Sequence, residues 1–104
     1  MIKLCTTQEI PESTAKGFSL DEKSLFVVHH NGEYFAYLNK CPHRGIALEW
    51  QPDQFLDIEK NFIQCATHGA LFRIEDGECV AGPCPGETLT PLEIHVENEH
   101  IFLT

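Results

Sequence analysis

Apolar and polar residues alternate along most of this chain with the two-residue period of a half-buried strand, and helical periodicity is weak throughout. Residues 23–30, with the run Leu25-Phe26-Val27-Val28, and residues 33–38, Glu33-Tyr34-Phe35-Ala36-Tyr37-Leu38, flank Asn31-Gly32, a strong type I′ hairpin signal. Leu71-Phe72-Arg73-Ile74 and Glu78-Cys79-Val80 flank a second turn at Asp76-Gly77. Leu92, Ile94 and Val96 alternate with polar neighbours, and Asn98-Glu99 then turns the chain into His100-Ile101-Phe102-Leu103. Residues 7–16 have room for a short helix, limited by Pro11 and Gly17. The pattern predicts an all-β fold, a small antiparallel β-sandwich or barrel, in one domain over residues 1–104. Long loops are expected over 39–50 and 81–89, and loops of that length in so small a domain tend to be functional.

Charge narrows the partners. Sixteen acidic against seven basic side chains give a formal net charge of −9. Such a surface repels nucleic acid and anionic membrane and favours a protein partner with a basic face. No stretch approaches the length of an apolar membrane span. The first residues, Met1-Ile2-Lys3-Leu4-Cys5, carry no apolar segment of a secretory signal, and Arg44 and Arg73 are the only arginines, so a cytoplasmic location is expected. Five cysteines in such a chain (Cys5, Cys41, Cys65, Cys79, Cys84) favour metal binding over a disulfide framework.

Two short motifs carry the chemistry. Cys41-Pro42-His43 is a Cys-x-His and Cys65-Ala66-Thr67-His68 a Cys-x-x-His, with Gly45 and Gly69 close behind. A thiolate and an imidazole so near each other on a tight loop can face one metal centre, and glycine lets the backbone approach it. The donor types alone leave open a structural Cys₂His₂ zinc site. Classical zinc fingers, however, group their cysteines together and their histidines together, which does not happen here.

In these two motifs the sequence resembles the Rieske [2Fe–2S] family. The likeness runs through Cys41-Pro42-His43-Arg44-Gly45 with Leu48, through Cys65-Ala66-Thr67-His68-Gly69-Ala70-Leu71-Phe72, and through Asp76-Gly77. It continues in Gly82-Pro83-Cys84-Pro85, Leu89 and Pro91-Leu92. The resemblance implies one [2Fe–2S] cluster per chain, with thiolates of Cys41 and Cys65 on one iron and imidazoles of His43 and His68 on the other. It also implies a cluster-binding subdomain of two loops, about 39–50 and 65–72, covered by a proline loop over 81–86. Two ferric ions, two sulfides and two thiolates sum to zero charge, whereas four thiolates would leave the centre doubly negative. A neutral centre accepts an electron more readily, so histidine ligation raises the potential.

High-potential members of the family carry hydroxyl side chains where this chain has Ala70 and Phe72, and a disulfide where it has Ile46 and Thr67. Fewer donors to the cluster predict a low-potential centre, near roughly −150 mV. The 21 residues between His43 and Cys65 make a long spacer, with the extra length around 50–61. Cys84 is expected to pack near the cluster, and Cys79 and Cys84 are not expected to form a standing disulfide in a reducing cytoplasm. Cys5 reads as a core or surface thiol, and His29, His30, His95 and His100 as structural or surface histidines. Arg44 fits a hydrogen bond to the other cluster loop or to a partner. Trp50, Phe55, Phe62 and Phe72 are expected to shield the cluster and fill the core.

The resemblance implies a one-electron carrier, a Rieske-type ferredoxin that takes electrons from a reductase and passes them to an oxygenase or other oxidoreductase. It is not expected to be an enzyme, since an oxygenase needs a further iron with two histidines and a carboxylate. The alternatives are a redox-sensing or accessory subunit and, at a distance, a zinc-stabilised binding module.

Overall fold

The fold is taken from a computed structural model that describes residues 2–20, 23–39, 55–56, 61–64, 70–82 and 87–104. Among the described residues ten strands follow in order: β1 Ile2–Thr6, β2 Thr14–Leu20, β3 Lys23–His30, β4 Glu33–Leu38, β5 Phe62–Gln64, β6 Leu71–Arg73, β7 Cys79–Ala81, β8 Pro91–Leu92, β9 Ile94–Glu97 and β10 His100–Leu103. They form three antiparallel sheets with strand orders β1-β10-β9, β2-β3-β4-β8 and β5-β6-β7. The expected all-β antiparallel architecture is borne out.

The hairpin between β3 and β4 turns where the sequence predicts. Asn31 and Gly32 have φ of 53° and 79°, both positive as a type I′ turn demands, and His30 pairs with Glu33 across it. Asn98 and Glu99 make the same kind of turn at 51° and 65°, closing β9 onto β10 with Glu97 opposite His100. Among the described residues, helix is limited to one 3₁₀ turn over Thr7–Glu9. Residues 10–13 turn the chain, and Thr14 to Lys16 of the expected helical segment enter β2, because Thr14 to Leu20 pair with β3 from His29 back to Lys23 and that ladder outweighs weak local propensity.

β3 lies at the centre and is buried on both faces. Leu25 and Val27 pack with Cys5, Ile10, Ala36, Ile101 and Leu103, joining the β1-β10-β9 sheet to the central one. Phe26 and Val28 point the other way and pack with Tyr37, Phe55, Ile63, Phe72, Ile74 and Leu89, joining the β5-β6-β7 sheet. Strand pleat therefore explains how four consecutive apolar residues serve two cores. No helix among the described residues is long and apolar enough to cross a membrane.

Candidate functional site

The sequence-predicted ligands Cys41, His43, Cys65 and His68 lie outside the described residues, as do Arg44, Ile46, Leu48, Trp50, Thr67 and Cys84. Residues on both sides of segment 65–69, and Gly82 ahead of segment 83–86, are described, and strand register brings them to one end of the β5-β6-β7 sheet. Gln64, which precedes Cys65, stands opposite Leu71, so the two ends of segment 65–70 are held side by side. On the other side of β5, Gln64 N–H donates to Phe55 O at 2.8 Å, and Leu56 bridges Ile63 antiparallel. Phe55, the first described residue after the segment that carries Cys41 and His43, thus lies next to the residue that leads into Cys65. Beyond β6, Leu71 stands opposite Ala81, so the chain leaves β7 towards 83–86 at this same end.

Gly82 fixes that last approach. Its φ is +104°, and a Cβ placed on it would lie 2.6 Å from Ala70 Cα and 3.0 Å from Ala70 Cβ. Only glycine permits both the backbone conformation and the contact. The start of the proline segment is consequently pressed against the residue two places after His68.

The floor beneath these flanks is apolar and rigid. Phe55 stacks on Phe26 with centroids 4.3 Å apart and planes within 12°, and Phe26 packs against Tyr37 at 5.9 Å. Phe55, Ile63, Ala70 and Phe72 are all fully buried. Phe55 and Phe72 therefore fill the core as expected, and neither residue 70 nor 72 brings a hydroxyl. Tyr37 donates its hydroxyl to Ile74 O at 2.6 Å, tying the β6–β7 turn to the central sheet, and burial pushes the phenol up to about 12. In the same turn Asp76 accepts Glu78 N–H at 3.0 Å and pairs with Arg73 at 2.7 Å. That backbone hydrogen bond, helped by the guanidinium, holds the carboxyl below its usual range. Glu78 bridges Thr88 and Cys79 N–H donates to Glu87 O at 2.8 Å, so part of the expected 81–89 loop is a strand-like return beside β7.

The remaining candidates are structural. His29 Nδ1 is 2.8 Å from Ile10 O, its ring stacks on Tyr34 at 4.2 Å, and His30 faces Glu75 at 3.8 Å. His95 and His100 flank Phe102 on the outer sheet. Cys5 is buried, which together with nearby Glu9 pushes its thiol up, and Cys79 is buried with its thiol donating to Ala81 O at 3.3 Å. No group of three or more metal-ligating side chains occurs among the described residues. The sequence pattern missed β5 and the strand-like contact of Phe55, because Phe62-Ile63-Gln64 is too short to show alternation.

The chain belongs to the Rieske [2Fe–2S] domain family, whose model matches residues 1–96. The chain is 26% identical over 101 residues to the biphenyl dioxygenase ferredoxin subunit of Pseudomonas sp. (strain KKS102), covering 97% of this chain and 88% of that one. In fold it is similar to the ferredoxin of carbazole 1,9a-dioxygenase from Nocardioides aromaticivorans IC177, with a TM-score of 0.78 and 20% identity over 100% of this chain and 98% of that one. A chain in the complex of reduced oxygenase and oxidized ferredoxin of carbazole 1,9a-dioxygenase matches with a TM-score of 0.82 and 21% identity, over 99% of this chain and 100% of that one.

Proposed function

We propose that this chain is a Rieske-type ferredoxin, a cytoplasmic one-electron carrier between a reductase and an oxygenase or other oxidoreductase. The observation that carries the reading is the match to a dioxygenase ferredoxin subunit along nearly all of both chains. The carbazole dioxygenase structure in which a ferredoxin accompanies its oxygenase supports the choice of partner. Cys41, His43, Cys65 and His68 would hold one cluster per chain, and the meeting of the flanks at Gln64, Leu71, Phe55 and Gly82 supports that ligand set. When bound, the cluster supplies a centre that accepts and releases single electrons. The chain's own contribution is to hold the motif segments together, to exclude water with Phe55, Ile63 and Phe72, and to withhold hydroxyl donors at residues 70 and 72. The last of these supports a low potential. The carrier would convert no organic substrate itself, and its net charge of −9 suits a redox partner with a basic docking face.

Protein purified without oxygen should be red-brown and contain two irons and two acid-labile sulfides per chain. Reduced protein should give up its electron to an oxygenase within one catalytic cycle. A colourless protein with stoichiometric zinc would overturn the cluster. Failure to reduce every co-purifying oxidoreductase would overturn the carrier role and leave an accessory subunit.

A further inference from the structure

We propose that Asn39 is a positioning residue for the cluster: its buried side-chain amide, held by Ser24, fixes the point from which the chain runs to Cys41. The inference rests on the ligand set proposed above. Among the described residues Asn39 alone is both polar and buried, at 8% exposure, and the other buried side chains are aliphatic, aromatic or thiol. A buried amide costs free energy unless it is hydrogen-bonded, and an apolar residue would fill the same space without that cost. Once its bonds are made, such a group selects one arrangement of the chain around it.

The contacts place it. Leu38, the last residue of β4, pairs with Leu25, and its N–H donates to Thr90 O at 2.9 Å on the other side. Asn39 N–H then donates to Ser24 O at 2.8 Å, so the bonding to β3 continues one residue past the strand. Strand alternation puts Asn39 on the face of Tyr37, and Ser24 on the same face as Phe26. There Asn39 Nδ2 donates to Ser24 Oγ at 3.4 Å. This face packs against the β5-β6-β7 sheet, where Phe26 stacks on Phe55 and Phe55 O accepts from Gln64 N–H. Asn39 therefore stands two residues ahead of one proposed thiolate ligand, on the face that packs against the residues leading into the other.

Only Lys40 separates Asn39 from Cys41, a chain reach of roughly 7 Å. Ser24 holds Asn39 twice, by backbone and by side chain, so little slack passes into that short link. Groups behind the ligands orient them and tune the metal, so loss of this anchor should register in the cluster's own spectrum and potential. A neutral amide anchors the chain without adding charge beside a centre that must accept an electron.

The full chain loaded with its cluster tests the idea, by EPR of the reduced state, redox potentiometry and iron release to a chelator. N39A should change the g values and the midpoint, and should release iron at least about fivefold faster. Threonine and valine share a shape and differ in the hydroxyl. S24T should therefore behave as the parent, and S24V should shift in the direction of N39A, by less. L25A is the control: it loosens the opposite face of β3 and should leave g values and midpoint unchanged despite lower stability. N39A or S24V with the parent's g values and midpoint overturns the proposal, as does an L25A that shifts them equally. Should N39A retain too little cluster to measure, the S24T and S24V pair decides. A parent protein without any cluster overturns the ligand reading, and this proposal with it.

Discussion

The two faces of β3 anchor cores of different kinds. Leu25 and Val27 look into a largely aliphatic layer of Ile10, Ile101 and Leu103, and the strands that close it are joined by the two-residue turn at Asn98-Glu99. Phe26 and Val28 look into an aromatic layer of Phe55, Phe72 and Tyr37, above which every strand of the β5-β6-β7 sheet is three residues long. Strands that short give few ladder bonds and cannot hold a sheet by themselves. The β5-β6-β7 side is therefore held by keyed contacts: the Phe26–Phe55 stack, the Tyr37–Ile74 hydrogen bond and the Gly82–Ala70 junction. One face sustains the fold, and the other carries the described residues that flank segment 65–69.

The largest effect separates the faces directly. Phe55→Ala should cost about 3–5 kcal/mol and Leu25→Ala about 2–5 kcal/mol in denaturant titration. Only the first should also release iron, read as loss of visible absorbance under conditions where both variants remain folded. Equal loss of iron from the two variants would erase the distinction. Gly82→Ala should follow at about 2–3 kcal/mol, since the new methyl meets backbone at 2.6 Å in a conformation that favours glycine. Its cluster should bleach faster than the protein unfolds.

Tyr37→Phe should cost about 1–2 kcal/mol by leaving the Ile74 carbonyl buried without its donor. The effect depends on pH. An unfolded tyrosine titrates near about 10, whereas Tyr37 in the fold is pushed up to about 12. Between those values the unfolded chain gives up a proton that the folded chain keeps. The wild type's advantage over Tyr37→Phe should hold below about pH 10 and shrink as the pH rises towards 12. Stability curves of the two proteins across that window check it. The smallest structural change should come from Ala70→Ser and Phe72→Tyr, which add hydroxyl donors at buried positions. Both should raise the midpoint in redox potentiometry, and an unchanged or lower midpoint would remove the link between these residues and a low potential.

Much of the fold was legible in the sequence where the chain repeats a local rule. β3, β4 and β10 stand where alternation and the Asn31-Gly32 and Asn98-Glu99 turns predict them. β1, β2 and β5 were not legible. Thr14-Ala15-Lys16-Gly17 reads as no strand until β3 offers seven paired positions, and β5 has only three residues to show a pattern. The Rieske motifs stood out because few residue types serve as soft metal donors and their spacing is fixed by chemistry.

By itself the sequence determined the β class, the hairpin turns, the acidic surface and the donor types at residues 41, 43, 65 and 68. Each of these depends on near neighbours or on composition. Tertiary structure alone decided that β3 would serve two cores, that Phe55 would lie beside Gln64, and that Gly82 would meet Ala70. These contacts join residues far apart in the chain, and only packing among all three sheets selects them from the many pairings that alternation permits.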